Sequence, residues 1–196
     1  MKTKLFFLLL CITLTFAGCS ALPSGSEKQP AEYVSRLNVG HSLEIENIDR
    51  SLILVDDNST LAADGLYYAS WGIGNATPYE NSDGDTADLY DANLYLLLGE
   101  SKDHTSAKKN MDVWLEAAKT NYKILTETEE VRNGQSYTLL TYSCLGENSP
   151  YARGISAFGS FGNNAVCIEL TCIEAFNEDL EPILTDFLNN CSYKNE

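Results

Sequence analysis

The segment Met1–Ser20 constrains the chain most, because it decides which part of the chain folds and in which compartment. Lys2 and Lys4 precede an apolar run, Leu5–Ala17, which is followed by Gly18. A positive segment, a short apolar segment and a small closing residue are the layout of an export signal. The run is shorter than the roughly 20 apolar residues that a membrane-spanning helix needs. We therefore expect a domain that is exported and does not span the membrane.

The end of this segment, Phe16-Ala17-Gly18-Cys19, resembles the lipobox of bacterial lipoproteins. The resemblance implies that a signal peptide, residues 1–18, is removed and that Cys19 is acylated with fatty acids such as palmitate. The protein would then be anchored on the outer face of the cytoplasmic membrane, or in the outer membrane if the cell has one. Two alternatives stay open: an ordinary secretory signal with an incidental cysteine, and an uncleaved N-terminal anchor.

Composition predicts one acidic domain on a tether. Residues 19–41 hold the lipidated cysteine and a stretch rich in Ser, Pro and Gly, which is typical of a flexible tether. Residues 42–196 are enough for a single globular domain, and 44% of the chain is hydrophobic. The net charge of −15 argues against binding nucleic acid or anionic lipid, since both need Lys and Arg patches. We expect the lipid to hold the domain at the membrane, and the partner to be an envelope protein or a small ligand.

Hydrophobic periodicity predicts mainly hairpin-connected strands and two helices. The predicted strands are 43–46, 52–55, 66–73, 89–98, 124–131, 137–145, 153–161 and 165–173. Asn133-Gly134 is a strong hairpin signal between two of them. One helix is capped by Thr105 or Ser106 and the other by Asn177 or Asp179. The predicted fold class is α+β, with a single antiparallel β-sheet and two main helices packed on it.

The order of these elements resembles the Mog1/PsbP-like sandwich. The resemblance covers Leu43–Tyr193 and depends on the closing strand and helix, AVCIELTCIE followed by NEDLEPILTDFLNN. It implies a sandwich fold and a binding or accessory role, without indicating a ligand.

Several residues are candidates for bonds or metal sites. Cys144, Cys167, Cys172 and Cys191 are candidates for disulfides in an exported chain, and buried thiols are the alternative. Asp83, Asp85 and Asp88 are weak candidates for a calcium loop. Thr86 stands where such a loop needs glycine, and Ala92 where it needs a carboxylate, so we expect no metal site and no cofactor. Tyrosines crowd the third and fourth strands, where they either form a binding groove or pack on the sheet.

No motif for catalysis is present. His41 and His104 are the two histidines, and neither adjoins a recognisable nucleophile motif. The sequence therefore predicts no enzyme, but a lipid-anchored extracytoplasmic accessory or binding protein. The alternatives are a small hydrolase-like enzyme that uses acidic residues, and a calcium-dependent binding module.

Overall fold

The computed structural model describes residues 32–63, 65–80, 86–145 and 149–194. The predicted signal peptide and Cys19 therefore lie outside the described residues. In chain order the elements are β1 (Arg36–Val39), β2 (Leu43–Glu46), β3 (Ile53–Ala63), β4 (Leu66–Glu80), β5 (Thr86–Glu100), α1 (His104–Asn121), β6 (Tyr122–Arg132), β7 (Gln135–Cys144), β8 (Arg153–Phe161), β9 (Asn164–Cys172), α2 (Leu180–Asn189) and β10 (Cys191–Tyr193).

The strands form two antiparallel sheets. The large sheet has seven strands in the order β3-β4-β5-β9-β8-β7-β6, and the small sheet has three in the order β1-β2-β10. Strands make up 59% of the described residues, so the protein is mostly β. The predicted fold class, α+β with a single sheet, is therefore wrong.

There is a physical reason why the sequence did not predict the small sheet. Alternation identifies β2 as a strand, but it does not say which strand pairs with it. Its two partners are short. β1 lies within residues 19–41, which composition assigns to a tether, and β10 has three residues directly after α2. Ile45 of β2 lies opposite Leu37 on one side and Cys191 on the other.

Both faces of the large sheet are covered. The small sheet and α2 share the first core with one face, where Leu94, Leu96 and Leu98 of β5 have no exposed surface. The other face and α1 form the second core, which contains Met111, Ala118 and Tyr142. The nearly continuous apolar run at the end of β5 follows from this burial on both faces.

Most of the turns and helix ends agree with the predictions made from the sequence. Asn133 and Gly134 have φ angles of 44° and 75°, as a tight hairpin between β6 and β7 requires. Asp179 caps α2 by accepting the amide of Glu181, as one of the two predicted caps. The cap of α1 is Asp103, before both predicted candidates, and it accepts the amide of Ser106 at 2.8 Å. Within the described ranges, neither helix has the length and apolarity to cross a membrane.

Candidate functional site

A cleft of about 700 Å³ opens beside the carboxyl end of β9. It lies between the middle of β4 and β5, the segment 173–178 that follows β9, and the first turn of α2. Its apolar wall consists of Ile73, Ile173, Phe176 and Ile183. Its polar rim includes Ser51, Asn75, Asp91, Asn177 and Glu178. The lining thus combines apolar side chains with two acidic residues, Asp91 and Glu178.

A β-bulge in β4 shapes the first side of the cleft. The register between β4 and β5 shifts between Ile73 and Ala76, which leaves Gly74 and Asn75 opposite Asp91. Gly74 has a φ of 81°, and a Cβ there would lie 2.4 Å from Asp91 Oδ2. Only glycine fits this position, because it has no Cβ and adopts a positive φ without strain. The bulge therefore brings the backbone of β4 against the Asp91 carboxylate.

Hydrogen bonds fix the Asp91 side chain. Its Oδ2 accepts the backbone amide of Asn75 at 2.8 Å and the Asn75 side-chain amide at 3.0 Å. The Asp91 carbonyl also accepts the amide of Ile173 at 3.0 Å, which joins the two sides of the cleft. The carboxylate is thus held in place before any ligand binds. Binding would therefore cost less side-chain entropy than it would at a mobile carboxylate.

Arg153 of β8 holds the segment that forms the second side of the cleft. Its Nη2 donates to the carbonyls of Phe176 and Glu178, at 2.9 and 3.1 Å. Both carbonyls precede the Asp179 cap, so the guanidinium fixes the approach of the chain to α2. The polar rim of the cleft consists of carboxyl, amide and hydroxyl groups.

A second polar cluster joins the two sheets at the turn after β1. Glu100, the last residue of β5, accepts the His41 amide at 2.7 Å and the Ser42 hydroxyl at 3.0 Å, both on Oε1. Glu100 Oε2 lies 2.9 Å from His41 Nδ1, and the Tyr67 hydroxyl lies 3.2 Å from the same nitrogen. Burial pushes the pKa of Glu100 upward, but these bonds from His41 and Ser42 outweigh it and hold the pKa below its ordinary value.

The turn after β1 packs closely against Glu100. The Ser42 hydroxyl donates to the Glu100 carboxylate at 3.0 Å. Gly40, with a φ of 58°, brings the turn so close that a Cβ would lie 2.7 Å from Glu100 Oε1. The cluster fastens the small sheet to the large one.

The predicted acidic cluster is only partly described. Asp83 and Asp85 lie outside the described residues, whereas Asp88 lies opposite Pro78 in the β4–β5 hairpin. Burial, and to a lesser extent the nearby Asp88, raises the pKa of Tyr90. No group of three His, Cys, Asp or Glu side chains suited to a metal ion occurs in the described part of the chain. Among the described acids of this stretch, Asp91 lines the cleft.

The tyrosines pack on the sheet instead of lining one groove. Tyr67 and Trp71 point into the first core and are 6% and 0% exposed. Tyr68 and Tyr95 take the opposite face, where their ring centroids lie 6.0 Å apart. Of the two interpretations of the tyrosine-rich strands, packing is the one that the structure supports.

The four candidate disulfide cysteines are not joined in the structure. Cys172 and Cys191 are buried in the first core, and Cys144 and Cys167 border the second. Cys167 and Cys172 take opposite faces of β9, as their spacing predicts. Burial raises the pKa of the Cys144 thiol to about 11, which makes it a weak nucleophile near neutral pH.

Sequence reasoning did not identify Glu178 or Arg153 as site residues. They come from separate segments that only the folded sheet brings together. Gly74-Asn75 within a strand was a usable signal, since an isolated glycine in a strand often marks a bulge. Glu100 gave no signal, because a charged residue that ends a strand is ordinary.

Comparison with known proteins gives distant structural likenesses alone. No protein-family profile matches the sequence. No curated protein matches it at a significant level either. Among solved structures, PsbP (CyanoP) from Synechocystis sp. PCC 6803 is 12% identical, over 68% of this chain and 95% of that one, with a TM-score of 0.38.

Two further structures are similarly distant. A protein from Bacteroides thetaiotaomicron is 9% identical, over 66% of this chain and 46% of that one, with a TM-score of 0.35. A protein of unknown function from Pseudomonas aeruginosa is 14% identical, over 52% of this chain and 85% of that one, with a TM-score of 0.31. One of the three structures is thus a PsbP protein, the family that the element order resembles. TM-scores this low leave the role of the chain to be argued from its own residues.

Proposed function

We propose that this protein is a lipid-anchored extracytoplasmic binding or accessory protein, without catalytic activity, and that the cleft is its ligand site. Three features of the sequence support lipid anchoring: the positive charges of Lys2 and Lys4, the apolar run Leu5–Ala17 and the ending Ala17-Gly18-Cys19. Residues 20–31 separate Cys19 from the first described residue. Fully extended, they reach at most about 40 Å, which is enough to hold the domain above a membrane surface.

The charge of the chain supports attachment through lipid alone. A net charge of −15 repels anionic phospholipid, so the domain itself has little tendency to lie on the membrane. The same charge attracts basic partners and speeds their approach. The cleft adds selectivity, because Asp91 is fixed by Asn75 and lies beside the apolar wall.

We therefore propose a ligand that pairs a cationic group with an apolar one, such as a basic segment of an envelope protein. The carboxyl groups of Asp91 and Glu178 would take the cation, and Ile173, Phe176 and Ile183 would take the apolar part. A charge-assisted hydrogen bond to a fixed carboxylate is about twice as strong as a neutral one.

The test is photo-crosslinking in living cells from two positions at opposite ends of β9. A photoreactive amino acid replaces Asn177 at the cleft rim in one variant and Asn163, in the exposed β8–β9 turn, in the other. We expect a discrete adduct from position 177 and none from position 163. The same adducts from both positions, or none from position 177, would contradict the proposal.

A charge reversal separates specific binding from general attraction. Glu178→Lys places a cation on the cleft rim, and Glu116→Lys makes the same change on the exposed surface of α1, where the Glu116 side chain is 74% exposed. We expect Glu178→Lys to abolish the adduct and Glu116→Lys to leave it. Equal loss in both variants would show that net charge, and not the cleft, attracts the partner.

A further inference from the structure

Glu169 is a carboxyl group enclosed between the large sheet and α1. It lies in the middle of β9 on the face opposite Ile168 and Leu170, and it is 8% exposed. In the sequence this face of β9, with Glu169 and Thr171, has the composition of a solvent-facing side. The helix α1 covers this face of the sheet. The carboxyl group therefore lies beneath α1, in the same layer as the second core.

The partners of Glu169 are hydroxyl groups. The Tyr142 hydroxyl donates to Glu169 Oε1, and the Ser156 hydroxyl lies 3.4 Å from the same oxygen and 3.2 Å from the Tyr142 hydroxyl. The Tyr122 side chain also lies close enough to the carboxyl group to lower its pKa. The rings of Tyr122 and Tyr142 are stacked with centroids 4.1 Å apart, which fixes both hydroxyls. Among the ion pairs of the described residues, none includes Glu169.

The titratable groups facing Glu169 are tyrosines and cysteines. Tyr95 of β5 is its neighbour across the sheet, Tyr142 comes from β7 and Tyr122 from β6, while Cys144 and Cys167 lie near the Tyr122 ring. Burial raises the pKa of the Tyr122 and Tyr142 hydroxyls and of the Cys144 thiol, so these groups are neutral near neutral pH. The helix α1 contributes apolar side chains to this core: Met111, Trp114, Leu115 and Ala118.

An ionised Glu169 would thus be a buried charge that has hydroxyl partners but, among the described residues, no ion pair. Burial raises the pKa of Glu169, and the side chains of Tyr142, Tyr122 and Ser156 offset this only in part. A buried carboxyl without a cation is stable as the neutral acid, and it ionises either at a high pH or after the layer over it opens. The second core has six buried hydrophobic residues among those described, against 29 in the first, so we expect α1 to be the layer that opens more easily.

We propose that Glu169 is a proton-dependent lock, which holds α1 on the sheet as a neutral acid and releases it on ionisation. The folded state binds the proton more tightly than the opened state. The stabilisation is therefore complete below the ordinary pKa of a glutamate and is lost as pH rises through the raised pKa of the folded state. Between these two pH values the equilibrium constant for opening rises about tenfold for each pH unit.

The test is hydrogen–deuterium exchange of the full-length chain in mild detergent, across a pH series and corrected for the intrinsic exchange rate. We expect opening of residues 104–121 to increase with pH in the wild type. In Glu169→Gln, which mimics the neutral acid, this increase should disappear. Glu181→Gln, at an exposed position of α2, is the matched control and should behave as the wild type. Parallel pH curves for wild type and Glu169→Gln would overturn the proposal.

A second measurement does not depend on the folding of the variant. Infrared spectroscopy of the wild type detects the carbonyl stretch of a protonated carboxylic acid. We expect one such band to persist at a pH at which exposed carboxyl groups are ionised, and to vanish at the pH at which the rise in α1 exchange levels off. No protonated band above the ordinary glutamate range would overturn the proposal.

Discussion

The hydrogen bonds that Glu100 accepts connect the two sheets, and they give the most direct prediction for stability. Glu100→Gln keeps the size of the side chain and removes its charge. The amide oxygen can still accept the His41 amide and the Ser42 hydroxyl, but as neutral hydrogen bonds. A hydrogen bond to a charged group contributes about 1.5–3 kcal/mol and a neutral one about 0.5–1.5 kcal/mol. Two such replacements lower the free energy of unfolding by about 2 kcal/mol.

The effect should also depend on pH. The pKa of Glu100 lies below its ordinary value, so the stabilisation is present above the ordinary pKa of a glutamate and is lost as pH falls through the lowered pKa. Glutamine has no such titration. The difference in stability between wild type and Glu100→Gln should therefore be largest near neutral pH and shrink in acid.

The assay is thermal unfolding by circular dichroism. For a domain of this size, 2 kcal/mol corresponds to a Tm lowered by about 4–8 °C. Glu127→Gln is the matched control, because its partner Lys119 lies 2.7 Å away on the surface and such pairs contribute about 0–1 kcal/mol. A Glu100→Gln variant that melts within about 1 °C of the wild type would refute the reasoning, as would a difference that stays constant into acid.

Three further substitutions test the packing of the sheet and the bonds that hold the segment before α2. Gly154→Ala places a Cβ 2.5 Å from the buried Tyr142 hydroxyl and should lower the free energy of unfolding by about 1–3 kcal/mol in urea titration. Gly134→Ala, which meets no atom within 4 Å but has a φ of 75°, should cost about 1 kcal/mol; a larger loss there than at Gly154 would contradict the packing argument. Arg153→Ala should increase hydrogen exchange across 173–179, because two carbonyls lose their donor; unchanged exchange would show that the segment is held otherwise.

Local signals in the sequence predicted the elements that depend on a few neighbouring residues. The range 153–161 predicted for β8 agrees with the structure, and Asn133-Gly134 forms the expected hairpin turn. Asp179 caps α2 as one of two candidates, because a side-chain oxygen beside the first free amides is a local interaction.

Long-range features were not predictable in this way. The small sheet forms because β10, near the end of the described chain, pairs with β2 near its beginning. A strand of three residues is too short to show a recognisable alternation in the sequence. Glu169 has the pattern of a solvent-facing residue in β9, because alternation does not show which faces a helix will cover. The cleft joins Asp91 and Glu178, which only the topology brings together.

The measurement that tests the account most directly is the mass of the N-terminal peptide of the protein recovered from the membrane fraction of bacterial cells. We predict a peptide that begins at Cys19 and carries lipid, and a Cys19→Ala variant that loses both the lipid and the membrane association. An unmodified Cys19, together with a Cys19→Ala variant that fractionates as the wild type does, would contradict lipid anchoring and with it the proposed role at the cell envelope.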